Sequence, residues 1–67
     1  MFKFNIVDLG GHKKDIGYLV QELKKENLIA GTEKDVNNDT VYHSHNIKAI
    51  KQIMEDYEGL MLDMYKD

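Results

Sequence analysis

The amino-acid sequence predicts an α+β fold in a single domain, residues 1–67, with elements in the order βαββαβ. Three patterns point to it. A strand-like alternation opens the chain, two amphipathic helical stripes follow with a polar hairpin between them, and a short apolar stretch comes near the end. A chain of 67 residues buries only about 60% of its unfolded surface, which excludes a multi-domain enzyme.

Phe2-Lys3-Phe4-Asn5-Ile6 alternates apolar and polar side chains and continues into Val7-Asp8-Leu9, a strand that buries Phe2, Phe4 and Ile6. Gly10-Gly11 stops it. Ile16, Leu19, Val20 and Leu23 then recur at i, i+3, i+4, i+7, which places an amphipathic helix over 13–26 with Gln21, Glu22, Lys24, Lys25 and Glu26 toward water. Asn27 suits the left-handed residue that ends a helix, with Leu28 folding back as an apolar lock. Residues 29–36 form a weak strand and 40–43 a better one. Asn37-Asn38-Asp39 is the turn between them, because these side chains tolerate positive φ and bond their own backbone.

Asn46 is a suitable N-cap for a second helix carrying Ile47, Ile50, Ile53, Met54 and Tyr57. Gly59 then divides two readings. As a C-cap it leaves residues 60–65 as a last strand and completes a ferredoxin-like βαββαβ sandwich, both helices on one face of an antiparallel sheet. If the helix runs on, the fold is βαββα with a long C-terminal helix whose seam is Ile47, Ile50, Met54, Tyr57, Met61 and Met64. The strand is favoured, since Gly costs a helix about 1 kcal/mol and acids near a helix C-terminus oppose its dipole. In the sandwich, the second sheet face carries Val7, Leu9, Met61 and Tyr65 with no helix over it, so a homodimer is expected.

The nine cationic side chains are all lysine. Without arginine, bidentate reading of phosphate or guanine is missing, which argues against direct nucleic-acid binding. No cysteine means no disulfide, thiolate nucleophile or Cys-ligated zinc. No apolar run approaches the roughly 20 residues of a membrane span, and Met1 runs directly into strand-like sequence, so a cytoplasmic, non-membrane protein is expected.

His43-Ser44-His45 places two imidazoles on one side of a strand about 7 Å apart, with His12 or Asp8 as a further candidate ligand, so a histidine metal-binding module is one alternative. Exposed polar residues at a strand end explain the pattern as well, and no metal or other cofactor is expected. Ser44, the only serine, sits on the opposite strand face from both histidines, so neither can activate it, and no enzyme is expected. Gly10-Gly11-His12-Lys13-Lys14 could hold an anion on free backbone N–H groups, or be a tight turn with solvated lysines. A small DNA-binding regulator using Lys13, Lys14, Lys48 and Lys51 is a second alternative.

The charge distribution carries the main functional expectation. Residues 1–54 hold eight Lys against seven acids, whereas residues 55–67 hold Glu55, Asp56, Glu58, Asp63 and Asp67 against Lys66 alone. The net charge of −3 is therefore a property of the last thirteen residues. Carboxylates interleaved with Tyr57, Met61, Met64 and Tyr65 suit a protein interface: the charges steer a basic partner and the adaptable apolar groups hold it. A solvated terminus is the plainer reading.

The βαββαβ order resembles small ferredoxin-like domains. Metal-carrying members have Cys-x-x-Cys after the first strand, where this chain reads Asp8-Leu9-Gly10-Gly11-His12. An Arg-free, Cys-free chain with Asn37-Asn38-Asp39 and Glu55-Asp56-Tyr57-Glu58 also resembles the small host-takeover and inhibitor proteins of phages infecting low-GC bacteria. That resemblance implies a stoichiometric, non-enzymatic inhibitor of a basic host protein, in some cases a mimic of DNA. Its partner-binding residues would be Glu55, Asp56, Glu58, Asp63, Asp67, Tyr57 and Tyr65.

Overall fold

The computed structural model describes residues 1–65, and Asp67 of the expected binding set lies outside them. Strand β1 (Phe2–Asp8), helix α1 (Lys13–Lys25), strands β2 (Gly31–Lys34) and β3 (Thr40–Ser44), helix α2 (Ile47–Met54) and strand β4 (Leu60–Met64) follow in chain order. The four strands make one antiparallel sheet in the order β2-β3-β1-β4. Residues 60–64 are thus a strand and not a continuation of the helix.

Phe4, Ile6, Leu19, Leu23, Ile50 and Leu60 form the core between the helices and one sheet face, and the Phe4 ring stacks on Tyr42 at 5.6 Å. Phe2, at the start of the same stripe, is exposed. Helix α1 ends as its sequence requires: Asn27 takes φ 57°, its N–H bonds the Lys24 carbonyl, and Leu28 N–H bonds the Leu23 carbonyl at 2.9 Å. The hairpin is shorter than expected because its turn begins at Asp35, whose Oδ1 accepts from the N–H groups of Asn37 and Asp39. Asn38 supplies the positive φ.

Helix α2 is capped by Asn46 Oδ1, which accepts from Ala49 N–H at 3.1 Å. It closes at Met54, with Asp56 and Tyr57 N–H turning back to the carbonyls of Ile53 and Met54. Gly59 therefore lies past the helix end and does not cap it. Its role is contact: a β-carbon at 59 would overlap the His12 ring, while the Gly59 carbonyl accepts from Leu9 N–H at 2.9 Å. Among the described residues no helix is long and apolar enough to cross a membrane.

Candidate functional site: the uncovered sheet face

Alternation along antiparallel strands assigns each side chain to a face. Phe4, Ile6, Tyr42, Leu60 and Leu62 face the helices. Lys3, Asn5 and Val7 of β1, Val41 and His43 of β3, Glu33 of β2, and Met61 and Asp63 of β4 face the other way, where no helix lies. Continuing the register, Leu9 and Tyr65 join them, since Leu9 N–H bonds Gly59 and Tyr65 N–H bonds the Lys3 carbonyl.

This face has two halves. Over β3, two side-chain bridges cross the sheet. Lys3 Nζ reaches Glu33 Oε1 at 4.0 Å, and the Tyr65 hydroxyl donates to Asp35 Oδ2 at 2.7 Å beside the hairpin turn. Asn5 Nδ2 adds a hydrogen bond to the Thr40 carbonyl. Beneath these crossings Val41 is only 2% exposed although it lies opposite the helices. Over β1 and β4 no side-chain bridge crosses among the described residues: Leu9 is 60% exposed and Met61 47%, and Met61 stands directly opposite Val7.

Charge collects around the bridges. The Tyr65 hydroxyl is pushed up to about 12, first by its hydrogen bond to Asp35, with burial and the charges of Asp35, Asp39 and Asp63 adding to it. Asp35 is held below the usual carboxylate range by the same hydroxyl and by the turn's N–H groups. Among the described residues, Glu33, Asp35, Asp39 and Asp63 stand against Lys3 here, with Lys34 close enough to act on Asp35.

The expected binding residues divide between the two sides of the molecule. Asp63 and Tyr65 belong to the uncovered face. Glu55 and Asp56 sit at the end of α2 in the helical layer, and Glu58 lies in the loop before β4. The Tyr57 hydroxyl donates to Glu22 Oε1 at 3.3 Å; burial, then the Glu22 carboxylate, raises its pKa, with Asp15 and Asp56 contributing. Asp56 meets Glu26 across a shallow groove of about 380 Å³ whose floor is Leu28, Ala49 and Ile53. Sequence reading missed that α1 contributes acids here, although Asp15, Glu22 and Glu26 at i, i+7, i+11 share one helix face.

The other candidates resolve into local structure. Asp8 Oδ1 accepts from Gly10 and His12 N–H, both at 2.9 Å, so the chain's own carboxylate occupies the donors that an anion would use. Those bonds hold Asp8 below the usual carboxylate range. Ser44 is fully buried and its Oγ accepts from Asn46 N–H at 3.1 Å, a turn contact leading into α2. His43 Nε2 lies 3.6 Å from Glu33 Oε1, His45 is exposed, and His12 packs by Gly59 and Asp15 at the far end of β1, about 20 Å away at roughly 3.3 Å per residue. Among the described residues no three His, Asp or Glu converge as metal ligands. Compared with known proteins, the chain matches no family model, no curated protein and no solved structure.

Proposed function

We propose that this chain is a non-enzymatic binding protein that inhibits or regulates a basic nucleic-acid-binding protein, in the manner of the small phage inhibitors it resembles. The strand order β2-β3-β1-β4 supports reading the sandwich as ferredoxin-like, and a homodimer is part of the same proposal. The observation that carries it is the uncovered sheet face, where Leu9 and Met61 are exposed and Val7 half-buried beside Asp63 and Tyr65, with Asp35 and Asp39 around the far end of the Tyr65 bridge. An exposed apolar patch next to excess carboxylate matches a partner that offers both cationic and apolar groups. Acids displayed in this way stand in for phosphates at a basic site.

The test is affinity capture from a bacterial lysate at low and high salt, followed by competition with duplex DNA. Capture should fall steeply with salt as exposed charges are screened, and DNA should displace the captured protein. Asp63→Lys with Met61→Ala should abolish capture, while Glu55→Lys with Asp56→Lys should leave it. Salt-insensitive capture counts against the proposal. Loss of capture only in the second pair would move the surface to the helical side.

A further inference from the structure

Strand β4 is an edge of the sheet, with no strand paired to its outer side among the described residues. Leu9 N–H bonds the Gly59 carbonyl and Tyr65 N–H bonds the Lys3 carbonyl, so the odd residues of β4 turn their backbone groups toward β1. By the alternation of an antiparallel ladder, Leu62 and Met64 turn N–H and C=O outward. Leu60 turns its carbonyl outward too, its N–H being used by the Tyr57 carbonyl at 3.1 Å.

Exposed edges are ordinarily short, charged, or interrupted by proline or a bulge. The other edge, β2, follows that rule: four residues, Gly31-Thr32-Glu33-Lys34. β4, Leu60-Met61-Leu62-Asp63-Met64, is one residue longer and less guarded, with Asp63 as its single charge and with Met61 47% and Met64 38% exposed.

Resting on the homodimer reading above, we propose that β4 pairs antiparallel with β4 of a second copy about a two-fold axis at Leu62, giving one continuous eight-stranded sheet. The register is self-complementary. Leu62 pairs with its own copy through two N–H···O bonds, and Met64 N–H in each chain reaches the Leu60 carbonyl of the other. Leu60 packs against Met64 on the helical side. On the uncovered face each Asp63 stands opposite Met61 of the second copy, so no like charges are opposed, whereas an axis at Asp63 would set the two carboxylates face to face. A two-stranded seam is narrower than the roughly 800 Å² per partner of a standard interface, so the dimer should form in the micromolar range.

Sedimentation from low to high micromolar concentration, combined with amide hydrogen exchange, tests this. Wild type should dimerise, and the Leu62 and Met64 amides should gain protection as concentration rises. Met64→Pro removes an outward N–H but no bond to β1, so it should give a folded monomer. Met61→Asp should weaken the dimer by about tenfold, because it creates two opposed Asp–Asp pairs, while Met61→Lys should keep or tighten it through two Lys–Asp pairs. A wild type monomeric at high micromolar concentration overturns both the dimer reading and this interface. A dimer that survives Met64→Pro, with exchange at Leu62 and Met64 independent of concentration, overturns this interface and leaves the dimer reading standing. If Met64→Pro does not fold, equal effects of Met61→Asp and Met61→Lys overturn the register.

Discussion

Gly59→Ala isolates one tertiary contact, the His12 ring packed over the backbone where a β-carbon would go. The two backbones cannot separate to make room, because His12 N–H is bonded to Asp8 Oδ1 and the Gly59 carbonyl to Leu9 N–H, both at 2.9 Å, so the relief must come from rotation of the half-exposed His12 ring. The side chain must leave its position, losing its 3.5 Å approach to Asp15. Overpacking of this kind costs about 1–3 kcal/mol. Replacing Gly by Ala at a backbone angle outside the left-handed region returns about 0.4–1 kcal/mol by restricting the unfolded chain. The net expectation is a loss of up to about 2.6 kcal/mol, centred on about 1 kcal/mol, and a loss of about 1 kcal/mol lowers the Tm of a domain this size by about 4–8 °C. In a His12→Ala background the obstruction is gone, and the same substitution should be neutral or stabilising. Urea unfolding of the four proteins at one protein concentration gives the coupling directly. Equal destabilisation in both backgrounds would show that the ring is not what Gly59 accommodates.

Phe4→Ala should cost about 3–5 kcal/mol, since Phe4 is fully buried and stacks on Tyr42, and chemical denaturation should find the variant close to unfolded. In an alkaline titration followed by tyrosinate absorbance, one tyrosine should ionise near 12, disappear in Tyr65→Phe, and move toward 10 in Asp35→Asn. Because the folded Tyr65 value is raised, the bridge's contribution is complete below pH 10 and is lost as pH rises through about 12. Asp8 and Asp35 carry the opposite sign: their lowered values contribute stability above about pH 3.8 that disappears as pH falls below it, so Asp8→Asn should flatten the acid limb of the stability profile.

Much of the architecture was legible because local chemistry and tertiary packing agree. The stripe Ile16, Leu19, Val20, Leu23 and the ending at Asn27-Leu28 set α1, and the Asn46 cap set the start of α2. Where α2 ends was not legible, because nothing in the local sequence reveals that Gly59 serves the ring of a residue 47 positions earlier. Val41 is a similar case. Alternation places it opposite the helices, where it should be exposed, yet it is 2% exposed on a face whose long-range pairs, Lys3 with Glu33 and Tyr65 with Asp35, are not readable from the local sequence. The acidic end read as one surface because residues close in sequence look close in space. β4 instead sends Asp63 and Tyr65 to the sheet face, while Glu55 and Asp56 stay with the helices, where Tyr57 bonds Glu22 and Asp56 shares a groove with Glu26.

The two bridges bear on how the proposed docking face and the proposed dimer edge would fit on so small a molecule. They cross the β3 side of the sheet, while Leu9 and Met61 are exposed and Val7 half-buried on the β1–β4 side, next to an edge with no strand partner among the described residues. Pairing through β4 brings those open halves together and sends the hairpins with Asp35 and Asp39 to the two outer ends. Eight strands in the order β2-β3-β1-β4 and its reverse span about 34 Å between hairpins at roughly 4.8 Å per strand, close to one turn of B-DNA. Two acidic ends at that separation suit a two-fold symmetric basic partner whose half-sites lie one helical turn apart. Met64→Pro, which leaves each acidic hairpin intact but unpairs the copies, should then weaken capture of such a partner. Unchanged capture by a monomeric Met64→Pro protein would mean that each chain binds alone.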